Sequence, residues 1–451
     1  MFVLREAFLV LRLLANPRLW PSIFRTLTTV LRHVFRSGFQ PGEGPSGAGA
    51  ARGSRRARLA ALITHYRRFR LGRWTWHRGR LVESTFVPPF PSRAFDRALE
   101  SVLSGQLDKP MFVHLAVTSA CPAGCGHCSL RGRTAANLPT AKWVDVIAQL
   151  NGLGVSTIAL TGGEPATRDD LPQLVQAAHD GGAAVQLFTS GIGLTAARIG
   201  ELQEAGLGAI GVSLDHTCAA VVDQQRCWPG AFDAAVAALR HARRTGMYTF
   251  INAVADRASV ISDEPRRLLE LASRLGIDEL RLLEPVPCGG LIEHPDRLLQ
   301  PEHVAELRRL HHENNRRRRG PKLLAISEIE SREMHGCVAG SLHLFVDPRG
   351  DVCPCDFVPW SFGNVLHTPL EAIWRNMRRV LGTPRTECLS RLLGQNPASD
   401  RPKQPLGCSP DAAPPSLESL PGNTLPGFYG QVMAAFGLSG TRGIGNLCKR
   451  G

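Results

Sequence analysis

Residues 118–128 read Thr118-Ser-Ala-Cys121-Pro-Ala-Gly-Cys125-Gly-His-Cys128, a C-x3-C-x2-C loop that follows the apolar run 112–117. Three thiolates this close in sequence can bind one iron–sulfur cluster. A cubane cluster has four irons, so three protein ligands leave one iron open. An open position is what a catalytic metal centre needs, whereas structural sites are closed. On spacing alone zinc competes for the same loop, with His127 as a fourth ligand.

Outward from this loop the pattern is regular. Strand-like runs fall at 112–117, 156–160, 184–188, 209–213, 248–253 and 279–283, and helical stretches at 142–153, 171–179, 196–205, 232–244 and 264–275. Gly154, Gly181, Gly182, Gly206, Gly246 and Gly276 stand where those helices should stop. Six strands alternating with helices predict parallel βα units of the α/β class. The expected architecture is a partial (β/α)6 TIM-like barrel, two units short of a closed eight-fold one. Functional residues should cluster at the C-terminal ends of its strands.

The second strand is followed by Thr161-Gly-Gly-Glu164-Pro165. A cysteine triplet after strand one with GGEP after strand two resembles the radical S-adenosylmethionine (SAM) enzymes, over about residues 109–290. The resemblance implies a [4Fe-4S] cluster on Cys121, Cys125 and Cys128, whose open iron chelates SAM. One electron then cleaves SAM to a 5′-deoxyadenosyl radical, which abstracts hydrogen from an unactivated C–H bond. Position by position, Gly162, Gly163 and Glu164 match the segment that meets the methionine ammonium of SAM. Ser190, Ser213 and Asp215 match polar positions after later strands. Arg226 matches an arginine that reaches the SAM carboxylate, Asn252 an adenosine contact, and His127 the usually aromatic position where adenine packs.

A second cysteine-bearing segment reads Cys337-Val-Ala-Gly340, then Gly350-Asp-Val-Cys353-Pro-Cys355, with Cys388 further on. It resembles the SPASM extension, which carries auxiliary iron–sulfur clusters, but its later cysteine string is degraded. One auxiliary cluster is expected, on Cys337, Cys355, Cys388 and either Cys353 or Cys408. Cys218, Cys227, Cys288 and Cys448 have no partner at ligand spacing and read as ordinary thiols. No acid–base pair or nucleophile triad stands out.

The whole chain has 451 residues, 43% of them hydrophobic and 20% charged, so it can bury a large core. The longest apolar run is far below the roughly 18 residues of a membrane span. Its net charge of +14 is concentrated: residues 1–80 hold 16 Arg, no Lys and only Glu6 and Glu43 as acids. Expected divisions are basic amphipathic helices (1–36), a flexible linker (37–54), a basic pre-core segment (55–108), the partial barrel (109–336), the SPASM-like module (337–395) and a Pro/Gly-rich tail (396–451). An apolar stripe of Ile23, Leu27, Val30, Leu31 and Val34 beside arginines suits either an anionic membrane surface or packing on the chain's own core.

The expected protein is therefore a cytoplasmic oxidoreductase, with peripheral contact on the inner face of the membrane. The N-terminus favours a lipid or isoprenoid substrate. A ribosomal peptide matured by a SPASM-type enzyme is the alternative, and a small molecule is a further option. A non-catalytic iron–sulfur or zinc protein is the remaining class. An electron donor such as flavodoxin or ferredoxin is implied, and no nucleic acid, since no finger or RNP-type motif accompanies the basic run.

Overall fold

The computed structural model describes residues 16–35, 72–104, 107–131, 137–317, 319–395 and 425–430. The helix expected ahead of Asn16, the linker, the basic run before Gly72, Cys408, Cys448 and most of the tail lie outside the described residues.

The N-terminal elements are α1 (Trp20–Phe35), β1 (Thr75–His77), β2 (Arg80–Val82) and α2 (Arg93–Ser104). The barrel follows: β3 (Phe112–Thr118), α3 (Thr140–Leu153), β4 (Thr157–Gly162), α4 (Leu171–Asp180), β5 (Ala184–Thr189), α5 (Ala196–Glu204), β6 (Ala209–Ser213), α6 (Ala219–Arg226), α7 (Ala231–Arg244), β7 (Tyr248–Val254), α8 (Arg257–Ile261), α9 (Glu264–Leu275) and β8 (Glu279–Leu283). Beyond it come α10 (Pro301–Arg316), β9 (Lys322–Ala325), α11 (Ile326–Ile329), β10 (His343–Val346), β11 (Val352–Cys353), α12 (Leu370–Leu381) and α13 (Leu389–Gln395).

Strands β3 to β8 pair in parallel and in sequence order, so the six expected strands form the heart of an open barrel. The sheet is larger than those six. At one edge β9 pairs in parallel with β8, and at the other β10 pairs in parallel with β3 and antiparallel with β11. The cysteine-bearing module is thus continuous with the barrel sheet through β10. Sequence patterning misses this because the pairing joins β3 to a four-residue strand more than two hundred residues away.

Alternation along each strand builds the two faces. Val113, Leu115 and Val117 of β3 and Ile158 and Leu160 of β4 are fully buried against helices, with Trp143, Ile147 and Leu150 of α3 in the same core. Each such aliphatic side chain stabilises the fold by about 1.5–3 kcal/mol. α3 ends at Gly154, whose φ of 83° is the left-handed cap that lets its N–H bond back to the last helical carbonyls.

The lumen floor is filled by the segment after β2. Thr85 N donates to Glu279 Oε2 at 3.1 Å, and Gln186 Nε2 donates to Thr85 O at 2.5 Å. The buried Arg281 guanidinium lies 4.3 Å from the Phe86 ring centre and 4.6 Å from that of Phe250. Burial pushes its pKa down to about 10.

α1 begins at Trp20 and carries Pro21 in its first turn, where a missing N–H costs nothing. It docks on α2 through Arg25 Nε, which donates to Asp96 Oδ2 at 2.6 Å. Trp20, Phe24 and Leu27, spaced i, i+4 and i+7, remain exposed. Part of the tail is also placed: Phe428 N donates to Met334 O and Gly427 N to Arg332 O, both at 2.9 Å, which seats Tyr429 in a buried position.

Candidate functional site

The C-terminal ends of β3 to β7 converge on one mouth. The cysteine loop leaves β3, Gly162, Gly163 and Glu164 leave β4, Ser190 follows β5, Ser213 closes β6, and Asn252 lies on β7 as the ladder partner of Ser213. Cys121 is exposed, and Cys125 and Cys128 are half-buried. Burial pushes the Cys121 and Cys125 thiols up, and Arg226 beside Cys125 partly offsets this.

Other elements hold the cysteine loop from three sides. Gly124 N donates to Arg226 O at 2.9 Å, Gly290 N to Cys128 O at 3.0 Å, and Glu164 N to Ala120 O at 2.8 Å. The GGE segment is packed hard against this loop: a Cβ at Gly163 would lie 2.2 Å from Ala120 O, and one at Gly162 would lie 2.4 Å from Thr118 O. These glycines are demanded by the approach of the two loops to each other, a reason that spacing alone does not reveal. The Cys288-Gly-Gly290 turn after β8 was not singled out from sequence, although its paired glycines were the visible signal.

Glu164, matched in sequence to the segment that meets the SAM ammonium, is held by the protein itself. Its side chain is completely buried. Its carboxylate accepts from Thr189 Oγ1 at 2.6 Å, Ser190 N at 2.7 Å and Ala166 N at 3.1 Å, and also from the Ser190 hydroxyl. Burial outweighs these bonds and raises its pKa. Glu164 therefore ties the end of β4 to the end of β5, and the Ser190 hydroxyl faces it.

Arg226 and Asp215 form a buried pair below the cysteine loop. Arg226 Nη2 donates to Asp215 Oδ2, and Arg226 Nη1 lies 3.7 Å from Cys125 Sγ. Asp215 Oδ1 accepts from Val254 N at 2.9 Å, and His127 Nε2 stands 3.7 Å from Asp215 Oδ2. Burial alone would raise Asp215, but Arg226 and His127 hold it below the usual carboxylate range. Burial lowers the His127 pKa, and the Asp215 carboxylate that its ring faces opposes this shift.

The donor set fits a cluster with SAM better than a single zinc ion. A zinc ion bound at about 2.3 Å by thiolates spaces their sulfurs about 3.8 Å apart. Among the described residues, the group whose potential ligand atoms all lie within 4.8 Å contains no cysteine. Two buried polar atoms at the mouth, Arg226 Nε and Asn252 Oδ1, have no hydrogen-bond partner. Orphans of this kind suit a polar ligand.

In the second module Cys337, Cys355 and Cys388 come together. Cys337 is bridged to Arg385 by reciprocal backbone bonds of 2.7 and 2.9 Å. Its thiol hydrogen-bonds Cys388, which raises Cys337 and lowers Cys388. Burial raises the Cys355 thiol. Glu330, which sequence did not flag, sits in the same neighbourhood, where the enclosing protein and nearby Cys388 push its carboxyl up to about 8. Cys353 packs in a different patch, with Ala116, Phe345 and Leu130.

Residues 115–275 match the profile of the Radical SAM superfamily, and residues 337–389 match SPASM, an iron–sulfur cluster-binding domain. A PqqA peptide cyclase of Streptomyces rochei is 31% identical over 277 residues, covering 59% of this chain and 75% of that enzyme. An AdoMet-dependent heme synthase of Methanosarcina barkeri is 26% identical over 292 residues, covering 59% of this chain and 82% of its own. The fold is shared with Streptococcus suis SuiB, solved bound to its precursor peptide SuiA, at a TM-score of 0.50, 17% identity, 62% coverage of this chain and 69% of that one. The chain belongs to the radical SAM superfamily and carries a SPASM domain. It is an enzyme whose cofactors are a [4Fe-4S] cluster, SAM and auxiliary iron–sulfur chemistry.

Proposed function

We propose that this radical SAM enzyme modifies an unactivated C–H position of a peptide. The similarity to a peptide cyclase over 59% of the chain, beside the Radical SAM and SPASM matches, carries this reading. It is favoured over the lipid or isoprenoid substrate that the N-terminal segment suggested, since neither relative described above is named for such a substrate.

Cys121, Cys125 and Cys128 would hold the catalytic cluster, presented by the loop after β3. When bound, the cluster and SAM supply one-electron cleavage and a hydrogen-abstracting radical. The chain's own residues bind and orient. The buried Asp215–Arg226 pair fixes the loop from below through Arg226 O and Cys125 Sγ. Ser213, Asn252 and the free Nε of Arg226 offer polar contacts at the mouth. Glu164 acts indirectly, by holding the β4 and β5 ends against the loop. Cys337, Cys355 and Cys388 would hold one auxiliary cluster, and a flavodoxin or ferredoxin would deliver the electron.

A membrane-docked version of this enzyme has one observation in its favour. The exposed Trp20–Phe24–Leu27 stripe sits on the same helix as Arg25 and Arg32.

The substrate class is testable with deuterium. Cells grown in heavy water supply a peptide fraction and a lipid extract, each incubated with enzyme, SAM and dithionite. The reading expects deuterium in 5′-deoxyadenosine from the peptide fraction. Deuterium from the lipid extract alone would overturn it.

A further inference from the structure

We propose that His114, His343 and Asp356 form a second, mononuclear metal site in the barrel lumen, taking one divalent first-row cation through two imidazoles and one carboxylate. The three side chains come from separate elements. His114 lies on β3, His343 on β10, and Asp356 just beyond β11. The parallel register pairs His343 with Phe112 and Phe345 with His114, so the two histidines are diagonal neighbours on one sheet face.

Their atoms already converge. His114 Nδ1 lies 2.9 and 3.0 Å from the two Asp356 carboxylate oxygens, and His343 Nε2 lies 3.3 Å from Oδ2. The imidazole rings are 4.7 Å apart and nearly perpendicular, at 82°. All three ligand atoms fall within 4.8 Å of one another, and this is the one such group among the described residues. A four-coordinate ion with ligands at about 2.1 Å spaces them about 3.4 Å apart. Small side-chain adjustments of the Asp356 carboxylate therefore suffice to admit an ion, while the strands keep both imidazoles in place.

The donor set decides the class of ion. Two imidazoles and a carboxylate suit iron(II), zinc or manganese, and leave coordination positions open. Of the three ligands, His114 also borders a lumen cavity lined by Phe112, Thr157, Gln186 and Arg281. The Phe188 ring lies against both His114 and Arg281, 5.5 Å from the His114 ring and 5.2 Å from the Arg281 guanidinium carbon. The rival explanation is a purely structural clamp, in which the same hydrogen bonds fasten the loop after β11 to β3.

The test uses the full chain, purified without oxygen and loaded with its clusters. It is freed of loose metal on a chelating resin, then given one equivalent of zinc sulfate and dialysed. The expected result is one zinc per chain. X-ray absorption at the zinc edge should show imidazole and oxygen neighbours and no sulfur. His114→Phe and Asp356→Asn should each hold at least tenfold less zinc with iron content unchanged. Sulfur in the zinc shell, or no retained zinc in the wild type, would refute the site without reference to either variant. Equal zinc in the variants and wild type would refute it as well. None of these outcomes bears on SAM cleavage, so the site stands or falls apart from the peptide reading.

Discussion

Replacing Glu164 with Gln separates two roles for the GGE motif. The carboxylate accepts two backbone N–H groups, from Ser190 and Ala166, and two hydroxyls, from Thr189 and Ser190. The hydroxyls can rotate, but the backbone N–H groups cannot. A glutamine offers one oxygen, so its amide must face one of those N–H groups and leave it unpaired. An unsatisfied buried donor costs about 1–3 kcal/mol. In a domain of this size each kcal/mol lowers the melting temperature by roughly 2–4 °C, so Glu164→Gln should melt about 2–12 °C below wild type. The assay is a thermal melt of cluster-loaded protein without SAM, followed by SAM titration calorimetry. A variant that melts with the wild type yet loses SAM affinity would show the carboxylate acting on ligand, and would refute the structural assignment.

Asp215→Asn should strand the Arg226 guanidinium beside Cys125 and cost about 3–5 kcal/mol, with partial recovery on adding Arg226→Met; a double-mutant cycle on thermal melts checks this. Since the Asp215 pKa is lower in the folded than in the unfolded chain, its stabilisation is present above the unfolded value of about 3.9 and fades as pH falls below it. The gap between wild type and Asp215→Asn should hold from neutral pH to about 5 and then narrow in acid. Cys355→Ala should lose about four irons while keeping SAM cleavage; unchanged iron would remove the auxiliary cluster from the account. Deleting residues 1–36 should abolish sedimentation with anionic vesicles, and equal sedimentation of the truncated chain would show that this segment is not the anchor.

The strands β3 to β8 and the five longer helices between them, α3, α4, α5, α7 and α9, were legible because apolar runs and stop-signal glycines mark them locally. Cys121, Cys125, Cys128 and the GGEP segment were legible because their residue types carry chemistry at short spacing. Three features were not. β10 joins the sheet through a pairing that no local pattern encodes. Glu164 reads as a ligand contact, yet its buried carboxylate bonds Thr189, Ser190 and Ala166, and Arg226 pairs with Asp215 while its Nε stays unpaired at the mouth. His114 and Asp356 are 242 residues apart, so only the folded sheet brings them together.

Iron and 5′-deoxyadenosine measured on the same anaerobic, reconstituted sample test the central claim most directly. With SAM and dithionite, wild type should carry about eight irons and release 5′-deoxyadenosine, and Cys128→Ala should release none while keeping about four irons. Zinc in place of iron, or a loaded cluster that leaves SAM intact, would contradict the account.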